Sequence, residues 1–388
     1  MKKEIEIKKL ISKIEKLKDK RGYIQAGIPR FRGLFGRDSL IAAWQLLNYD
    51  PSIAEKTILT LASLQGKNKN IKTGEEPGKI LHEYYPKNTP DDWWRKYKED
   101  IKWLKRGKPV YMSVDSTPLF LIIIGMYLEK TKDFSLVKKI KKNIKKAADW
   151  MIKYGDKNKN LFIEYQRENQ EGLLHQAWKD SDMEELNIEP PVAIVEAQGY
   201  QYLALKYASK IMKKMGQNTL SSKYCQRAIK LKKEFSRVFW SKQKDYFILS
   251  LGKEKTDKKT SNPGHLLFTG IVSKKRGEKI VKKLFEKDMF TPYGIRTYSS
   301  DEKEFNVLAY HLGTVWPHDN WIIAQGLKKM GYNNQYKKIK KSLFAAYKKL
   351  GFLPELYGVS KKGKIIKYRE ACYLQAWAIG SLISFLLD

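Results

Sequence analysis

Apolar residues along this chain recur at spacings of three and four and alternate in few places, so the pattern predicts helices and hardly any sheet. Twelve helical segments fall near residues 3–19, 38–49, 52–65, 114–130, 134–154, 192–213, 217–240, 262–272, 274–287, 316–331, 334–350 and 372–387. Two kinds of helix alternate. "DSLIAAWQLL", "STPLFLIIIGMYL", "PVAIVEAQGYQYLAL" and "YLQAWAIGSLISFLL" are apolar on nearly every face, as helices surrounded by protein must be. "VKKIKKNIKKAADW" and "YKKIKKSLFAAYKKL" set lysines between apolar positions and so keep one wet face. Only "KDYFILSLG" alternates well enough to supply half of a hairpin.

The connections also alternate. Short joints such as "DPS", "KTKD", "KMGQN" and "KMGYNN" are interleaved with long irregular stretches at 20–37, 66–113, 155–191, 241–261, 288–315 and 351–371. If successive helices run antiparallel, every second connection lies at the same end, which brings all six long loops onto one face. Loops of that length in a compact domain usually carry function. The expected architecture is all-α: one (α/α)6 barrel over residues 1–388, with residues 1–20 forming an outer helix that completes the ring and the long loops building a pocket on one face.

Composition narrows the function. A formal net charge of +34 raises polyanion binding, but only 12 of the 76 basic residues are arginine and the lysines sit on the wet helix faces. No nucleic-acid motif is present, so a specific nucleic-acid partner is not expected. No apolar run reaches membrane-spanning length and the N-terminus lacks the core of a secretory signal, which points to a cytoplasmic protein without a membrane partner. Two distant cysteines, Cys225 and Cys372, form neither a disulfide framework nor a metal signature. The 10 Trp and 23 Tyr are a heavy aromatic load, suited to stacking on sugar rings.

Chemistry-bearing residues gather in the long loops. "FRGLFGRDSL" closes the first, "KILHEYY" with Glu83 and "YMSVDSTP" with Asp115 belong to the second, and "HQAWKDSD" with His175 to the third. "SNPGHLL" carries His265, "YHLGTVWPHDN" carries His311 and His318, and "GFLPELYG" carries Glu355. No nucleophile elbow, P-loop, dinucleotide fingerprint or zinc spacing occurs, so no cofactor and no metal are expected. What remains is carboxyl chemistry, and glycosidic bonds are cut by two carboxyls with divided roles. Asp180, two residues from Trp178, is expected to be the drier carboxyl that keeps its proton, while Asp182, Glu184 and Glu185 read as exposed loop charges. Glu355 stands between Pro354 and Leu356 as the candidate base or as a loop acid paired with a lysine; Glu370 is its rival. Arg37 and Asp38 begin a buried helix, where Asp38 and Ser39 suit a cap and the Arg-Asp pair suits sugar hydroxyls.

In chain order, "GLFGRDSLIAA", "YMSVDSTPLFL", "GLLHQAWKDS", "PPVAIVEAQGYQY", "SNPGHLL", "YGIRTYSS", "YHLGTVWPHDNWIIAQGL", "LPELYG" and "CYLQAWAIGSL" resemble the motifs of the amylo-α-1,6-glucosidase domain of glycogen-debranching enzymes, a branch of the six-hairpin glycosidases. The resemblance implies an inverting hydrolase of terminal α-linked glucose, with Asp180 as general acid and Glu355 as general base. It implies that Arg37 and Asp38 clamp the terminal sugar and that Trp178, Lys179, Trp316, His318 and Asp319 line the site. His175-Gln176-Ala177-Trp178 replaces the Asn-Gln-Gly-Trp common in that family, and a second α-glucoside class, trehalose- or glucosylglycerate-like or glucoamylase-type, shares the mechanism. A carbohydrate-binding barrel without catalysis is the third reading.

Overall fold

A computed structural model describes residues 2–98 and 103–388. Its helices are α1 (Lys2–Glu15), α2 (Gly36–Leu46), α3 (Pro51–Ser63), α4 (Asp91–Tyr97), α5 (Ser116–Thr131), α6 (Ser135–Lys139), α7 (Lys141–Lys153), α8 (Val195–Lys214), α9 (Asn218–Val238), α10 (Leu266–Thr269), α11 (Lys274–Leu284), α12 (Pro317–Lys329), α13 (Asn333–Leu350) and α14 (Ala376–Leu387). Every strand among the described residues is two or three residues long, so the architecture is all-α.

The helices that are apolar all round pack against one another in a closed cycle. Helix α2 touches α5, α5 touches α8, α8 touches α10, α10 touches α12, α12 touches α14, and α14 returns to α2. The amphipathic helices lie outside them: α3 against α2 and α5, α7 against α5 and α8, α9 against α8, α13 against α12 and α14, and α1 against α14. Close approach within the cycle has a residue-level cause. At Gly125 of α5, a Cβ would lie 2.2 Å from the Tyr207 ring of α8, so only a residue without a side chain lets these two helices meet. Local signals set the ends, as at α3, where Asp50 accepts from the Ser52 N–H at 2.9 Å ahead of Pro51 at the first helical position.

The long loops are stitched to one another around one rim. Gly27–Ile28 of the first pairs antiparallel with Leu374–Gln375 beyond the sixth, and Leu34–Phe35 pairs with Glu83–Tyr84 of the second, Phe35 opposite Glu83. The Val114 N–H donates to Gln176 O at 2.8 Å, joining the second loop to the third. Ala193–Ile194 pairs with Ser250–Leu251, a bridge joins Thr260 to Tyr298, and another joins Val315 to Tyr357. Strands this short have no independent stability; they hold because the helices fix both ends of every loop.

Four local expectations change. The segment at 134–154 breaks at Ile140, which leaves helical geometry (φ −107°, ψ 20°) while burying its side chain. The segment at 262–272 is a 3-10 turn, Asn262–His265, running into the single turn of α10, which stops at Gly270 with φ +82°. Helix α4, in the second loop, has no counterpart in the sequence reading, because seven residues are too few for a periodicity to show. Asp38 and Ser39 do not cap α2: the N-cap position is Phe35, and the Ser39 hydroxyl donates instead to Ile24 O at 2.7 Å. No helix among the described residues is long and apolar enough to cross a membrane.

Helix α1 buries Leu10 and Ile14, and Leu17 is buried in the turn that follows it. Ile14→Ala should therefore lower unfolding stability by about 2–5 kcal/mol in denaturant titration; an unchanged midpoint would show that α1 adds nothing to the fold.

Candidate active site

The rim loops enclose a cleft of about 370 Å³. Arg37, Asp38, Glu83, Trp178, Asp180, Trp316 and Glu355, all singled out from the sequence, line it. They arrive from different elements: Arg37 and Asp38 from the first turn of α2, Glu83 from the second loop, Trp178 and Asp180 from the third, Trp316 from the start of α12 and Glu355 from the sixth.

Arg37 organises the floor. It can begin α2 beneath the second loop because Gly36 has no side chain; a Cβ there would stand 2.2 Å from Leu81 O. The Arg37 Nε donates to Asp115 Oδ2 at 2.8 Å and its Nη1 lies 3.9 Å from Asp180 Oδ2. Asp115 is itself held by the Ser113 hydroxyl at 2.7 Å. Burial opposes the guanidinium charge, but Asp115, Asp180 and Asp38 together outweigh it and hold Arg37 firmly charged.

Around this cation, burial lifts four carboxyls. Asp38 is pushed up to about 8, chiefly by desolvation and against the pull of Arg37. Glu83 rises to about 7 by desolvation, although Trp103 Nε1 donates to its Oε1 at 2.8 Å. Asp180 rises to about 6, desolvation again exceeding the opposing effect of Arg37. Glu355 rises to about 7 by desolvation, while two neutral donors steady its ionised form: the Tyr310 hydroxyl to Oε1 at 2.7 Å and the Cys372 N–H to Oε2 at 3.0 Å. The expectation that Asp180 is the drier carboxyl is thus corrected. Its side chain is 24% exposed and close to a guanidinium, whereas Glu355 is 2% exposed and, among the described residues, has no cation within ion-pair distance. Among the described residues no lysine pairs with Glu355; its bonded partners are Tyr310 and Cys372.

Aromatic rings shape the walls. Trp178 stacks on His265 at 5.9 Å and meets Trp316 and His318 edge-on at 5.8 and 4.9 Å. Across the cleft, Phe31, Phe35, Tyr85, Trp93, Tyr97 and Trp103 form an aromatic flap carried partly by α4. Ring faces of this kind suit the apolar faces of a sugar.

Five expected site residues do not line the cleft. Lys179 turns away beneath Trp178, donating to Thr297 O at 2.6 Å, and burial lowers it to about 8. Asp319 pairs with His265 Nε2 at 2.8 Å, and His265 meets the Tyr200 hydroxyl at 2.6 Å. His318 stacks on Trp377 at 3.7 Å and burial holds it well below the ordinary imidazole range, hence neutral. His175 meets the Tyr165 hydroxyl at 2.9 Å. Asp115 bonds Arg37 and Ser113, and its charge adds to the lift of Asp180. These residues support the lining rather than form it.

Other residues that the sequence reading did not single out also join the site: His82, Tyr310 and Trp377 from within its motifs, and the flap rings. The cluster "DDWWRKY" was the available signal for the flap. Asp182, read as a solvated charge, is half-buried, lines the cleft and accepts from the His311 N–H at 3.1 Å. Glu184 and Glu185 are exposed, as expected. Glu370 stands at the mouth, 72% exposed and 3.2 Å from Arg30 Nη1. Among the described residues no group of three or more His, Cys, Asp or Glu is arranged to hold a metal ion.

The family model described as amylo-alpha-1,6-glucosidase matches residues 103–384. Two curated relatives from Selaginella moellendorffii, mannosylglycerate hydrolases MGH1 and MGH2, are each 26% identical, over 114 and 118 residues. Those stretches cover 29% and 30% of this chain but only 23% and 24% of the relatives, about a quarter of their length. Among solved structures, the GH63 mannosylglycerate hydrolase of Thermus thermophilus in complex with glucose aligns over 97% of this chain and 99% of its own, with TM-score 0.72 and 13% identity. The same enzyme in complex with Tris and D-glycerate aligns over 98% of both chains at TM-score 0.72 and 13% identity. At that identity the likeness establishes the fold alone.

The lifted carboxyl of Asp38 predicts a pH-dependent stability effect. Its folded value lies above the ordinary 3.8, so the stability contributed by its protonated form is present below that value and is lost as pH rises toward 8. Asp38→Asn does not titrate, so its stability relative to wild type should climb between pH 4 and pH 8 by ~1 kcal/mol or more in denaturant unfolding. A difference independent of pH would show that Asp38 ionises in the fold as freely as in water.

Proposed function

The chain belongs to the amylo-alpha-1,6-glucosidase family, and on that premise we propose that it is a glycoside hydrolase cutting a terminal glycosidic bond between Asp180 and Glu355. The carrying observation is that these two carboxyls, from distant loops, line one cleft and are both lifted into the neutral range. The closed cycle of six helices with helices packed outside it supports reading the architecture as one (α/α)6 barrel over residues 1–388, α1 completing the outer ring; Met1 lies outside the described residues.

Asp180 in its protonated form donates to the glycosidic oxygen, and ionised Glu355 takes a proton from the water that attacks the anomeric carbon. The Tyr310 and Cys372 donors support that division, because hydrogen bonds to a carboxylate favour its ionised form and aim its free lone pairs. Arg37 beside Asp180 stabilises the carboxylate left after proton donation. Arg37, Asp38 and Glu83 hold the sugar hydroxyls, and Trp178 and Trp316 supply ring faces. A water entering opposite the leaving oxygen inverts the anomeric centre. Placement of both carboxyls in the cleft argues against a barrel that only binds sugar.

For the substrate, a small hexoside of a hydroxy acid such as glycerate is the first reading. Its support is the near full-length overlay on the mannosylglycerate hydrolase and a cleft walled off by the aromatic flap. Removal of α-1,6-linked branch glucose, favoured by the description of the family model, is the second.

Two carboxyls near 6 and near 7 titrate as a pair; the working form carries its one proton on Asp180 and is the less populated of the two singly protonated forms, because Glu355 holds a proton more firmly. That form appears as pH rises through about 6 and is lost as pH rises through about 7, so kcat/KM should trace a bell with its maximum between them. A profile flat across the neutral range would contradict the pairing. Asp180→Asn and Glu355→Gln should each lower kcat by at least ~10²-fold while sugar binding persists; near-full activity in either variant would remove that residue from the mechanism.

A further inference from the structure

As general acid, Asp180 must aim its proton at one particular oxygen, yet it stands on irregular chain between α7 and the 3-10 turn Met183–Leu186. What holds this segment comes from the fifth loop. The His311 ring is wholly buried beside it, stacked on Trp316 at 5.1 Å and edge-on to Trp178 at 5.5 Å. Its Nδ1 lies 3.2 Å from the Ser181 N and 3.0 Å from Ser181 O, so the imidazole meets both backbone polar groups of the residue that follows the acid. Burial holds His311 well below the ordinary imidazole range, hence neutral. Either neutral tautomer bonds Ser181: with its proton on Nε2 the ring accepts from the N–H, and with its proton on Nδ1 it donates to the carbonyl. The backbone adds another tie, the His311 N–H donating to Asp182 Oδ2 at 3.1 Å. That tie restrains a residue whose φ of +61° is a left-handed conformation that side chains disfavour.

We propose that His311 is a positioning residue for the general acid, fixing Asp180 through Ser181. The proposal rests on the reading of Asp180 as the acid given above. The Ser181 N–H belongs to the peptide unit that begins at Asp180, and the Ser181 hydroxyl reaches Asp180 Oδ1 at 3.4 Å, so the hold on Ser181 passes to the carboxyl by two routes. The other carboxyl oxygen faces Arg37, its Oδ2 lying 3.9 Å from Nη1. His311 is itself firmly seated, because the preceding carbonyl, Tyr310 O, accepts from the Thr314 hydroxyl at 2.6 Å and from Trp316 Nε1 at 2.9 Å. The Tyr310 hydroxyl in turn bonds Glu355 at 2.7 Å. Consecutive residues of one loop thus address the two carboxyls, Tyr310 the base and His311 the acid, and a single peptide unit sets the spacing between them.

The test compares two leaving groups. An alkyl α-glycoside needs a proton on its departing oxygen, which Asp180 supplies, whereas an α-glycosyl fluoride releases fluoride with the C–F electron pair and needs little acid help. In both, Glu355 takes the proton of the attacking water. Wild type, Asp180→Asn, His311→Leu, His311→Gln and His311→Asn, each checked for folding by thermal denaturation, are assayed on α-glucosylglycerate, α-mannosylglycerate or isomaltose, whichever wild type cleaves, and on the α-fluoride of the same sugar. His311→Leu should lower kcat on the glycoside by roughly 10- to 100-fold, the cost of a misaimed group, with KM and fluoride turnover each changed by less than about threefold. His311→Asn, whose amide falls near the Nδ1 position, should recover most of that loss, and His311→Gln, whose amide reaches toward Nε2, should not. If His311→Leu does not fold, the order of His311→Asn above His311→Gln carries the test. Equal losses on glycoside and fluoride in the folded His311 variants, no loss in them, or His311→Gln as active as His311→Asn would overturn the positioning role, while a loss confined to the glycoside in Asp180→Asn would leave the acid assignment intact. Equal losses on both substrates in Asp180→Asn would overturn the acid assignment and the role of His311 with it.

Discussion

One buried guanidinium makes the cleft possible. A site built from carboxyls in a low-dielectric rim would protonate all of them, because each ionised carboxyl loses its water and repels the next. Arg37, anchored by Asp115 and reaching to Asp180, is the cation that opposes this. The graded result follows distance and hydration: Asp180, nearest the guanidinium and partly wet, is lifted least, to about 6, whereas Asp38 is lifted to about 8. Removing either ion of such a pair would leave its partner charged in the interior, the costliest defect a core can hold.

The scaffold exists to hold that arrangement still. Six mutually packed helices fix the roots of the long loops, and short strand pairs and bridges tie each loop to its neighbours, so the rim behaves as one connected belt. The support runs inward as well. Beneath Trp178, Lys179 is spent on Thr297 and His265 is fixed between Asp319 and Tyr200, which keeps the stacking surface at a set height. Beside Trp316, Tyr310 both lines the cleft and bonds Glu355, and the N–H of His311, the next residue, holds Asp182. The geometry of the cleft is a property of loops, made rigid by what lies under them.

Much of this was legible in the sequence because it depends on period and length. Helices apolar on every face are buried, and an alternation of long and short connections places the long ones together. The residues brought together, Arg37, Asp38, Glu83, Trp178, Asp180, Trp316 and Glu355, sit where the long loops end. What a motif cannot convey is the direction of a side chain. Trp178, Lys179 and Asp180 are neighbours in the chain, yet the outer two line the cleft while the middle one turns into the interior to donate to Thr297 O. His318 and Asp319 likewise point beneath the lining at the start of α12. Dryness was misjudged for a related reason: closeness to Trp178 in sequence does not make Asp180 the more buried of the two, whereas the walls assembled around Glu355 come from other loops. The flap was hidden by its brevity, since α4 is too short to show a period.

The central claim is that Asp180 and Glu355 divide acid and base between them, and rescue by a small anion tests it most directly. Azide can enter the space left in Glu355→Ala and attack the anomeric carbon of an activated α-glycoside in place of the water that Glu355 would have activated. The account predicts that azide restores turnover to Glu355→Ala and that the product, followed by NMR, is the β-glycosyl azide. Failure of azide to rescue Glu355→Ala, or formation of the α-anomer, would contradict it.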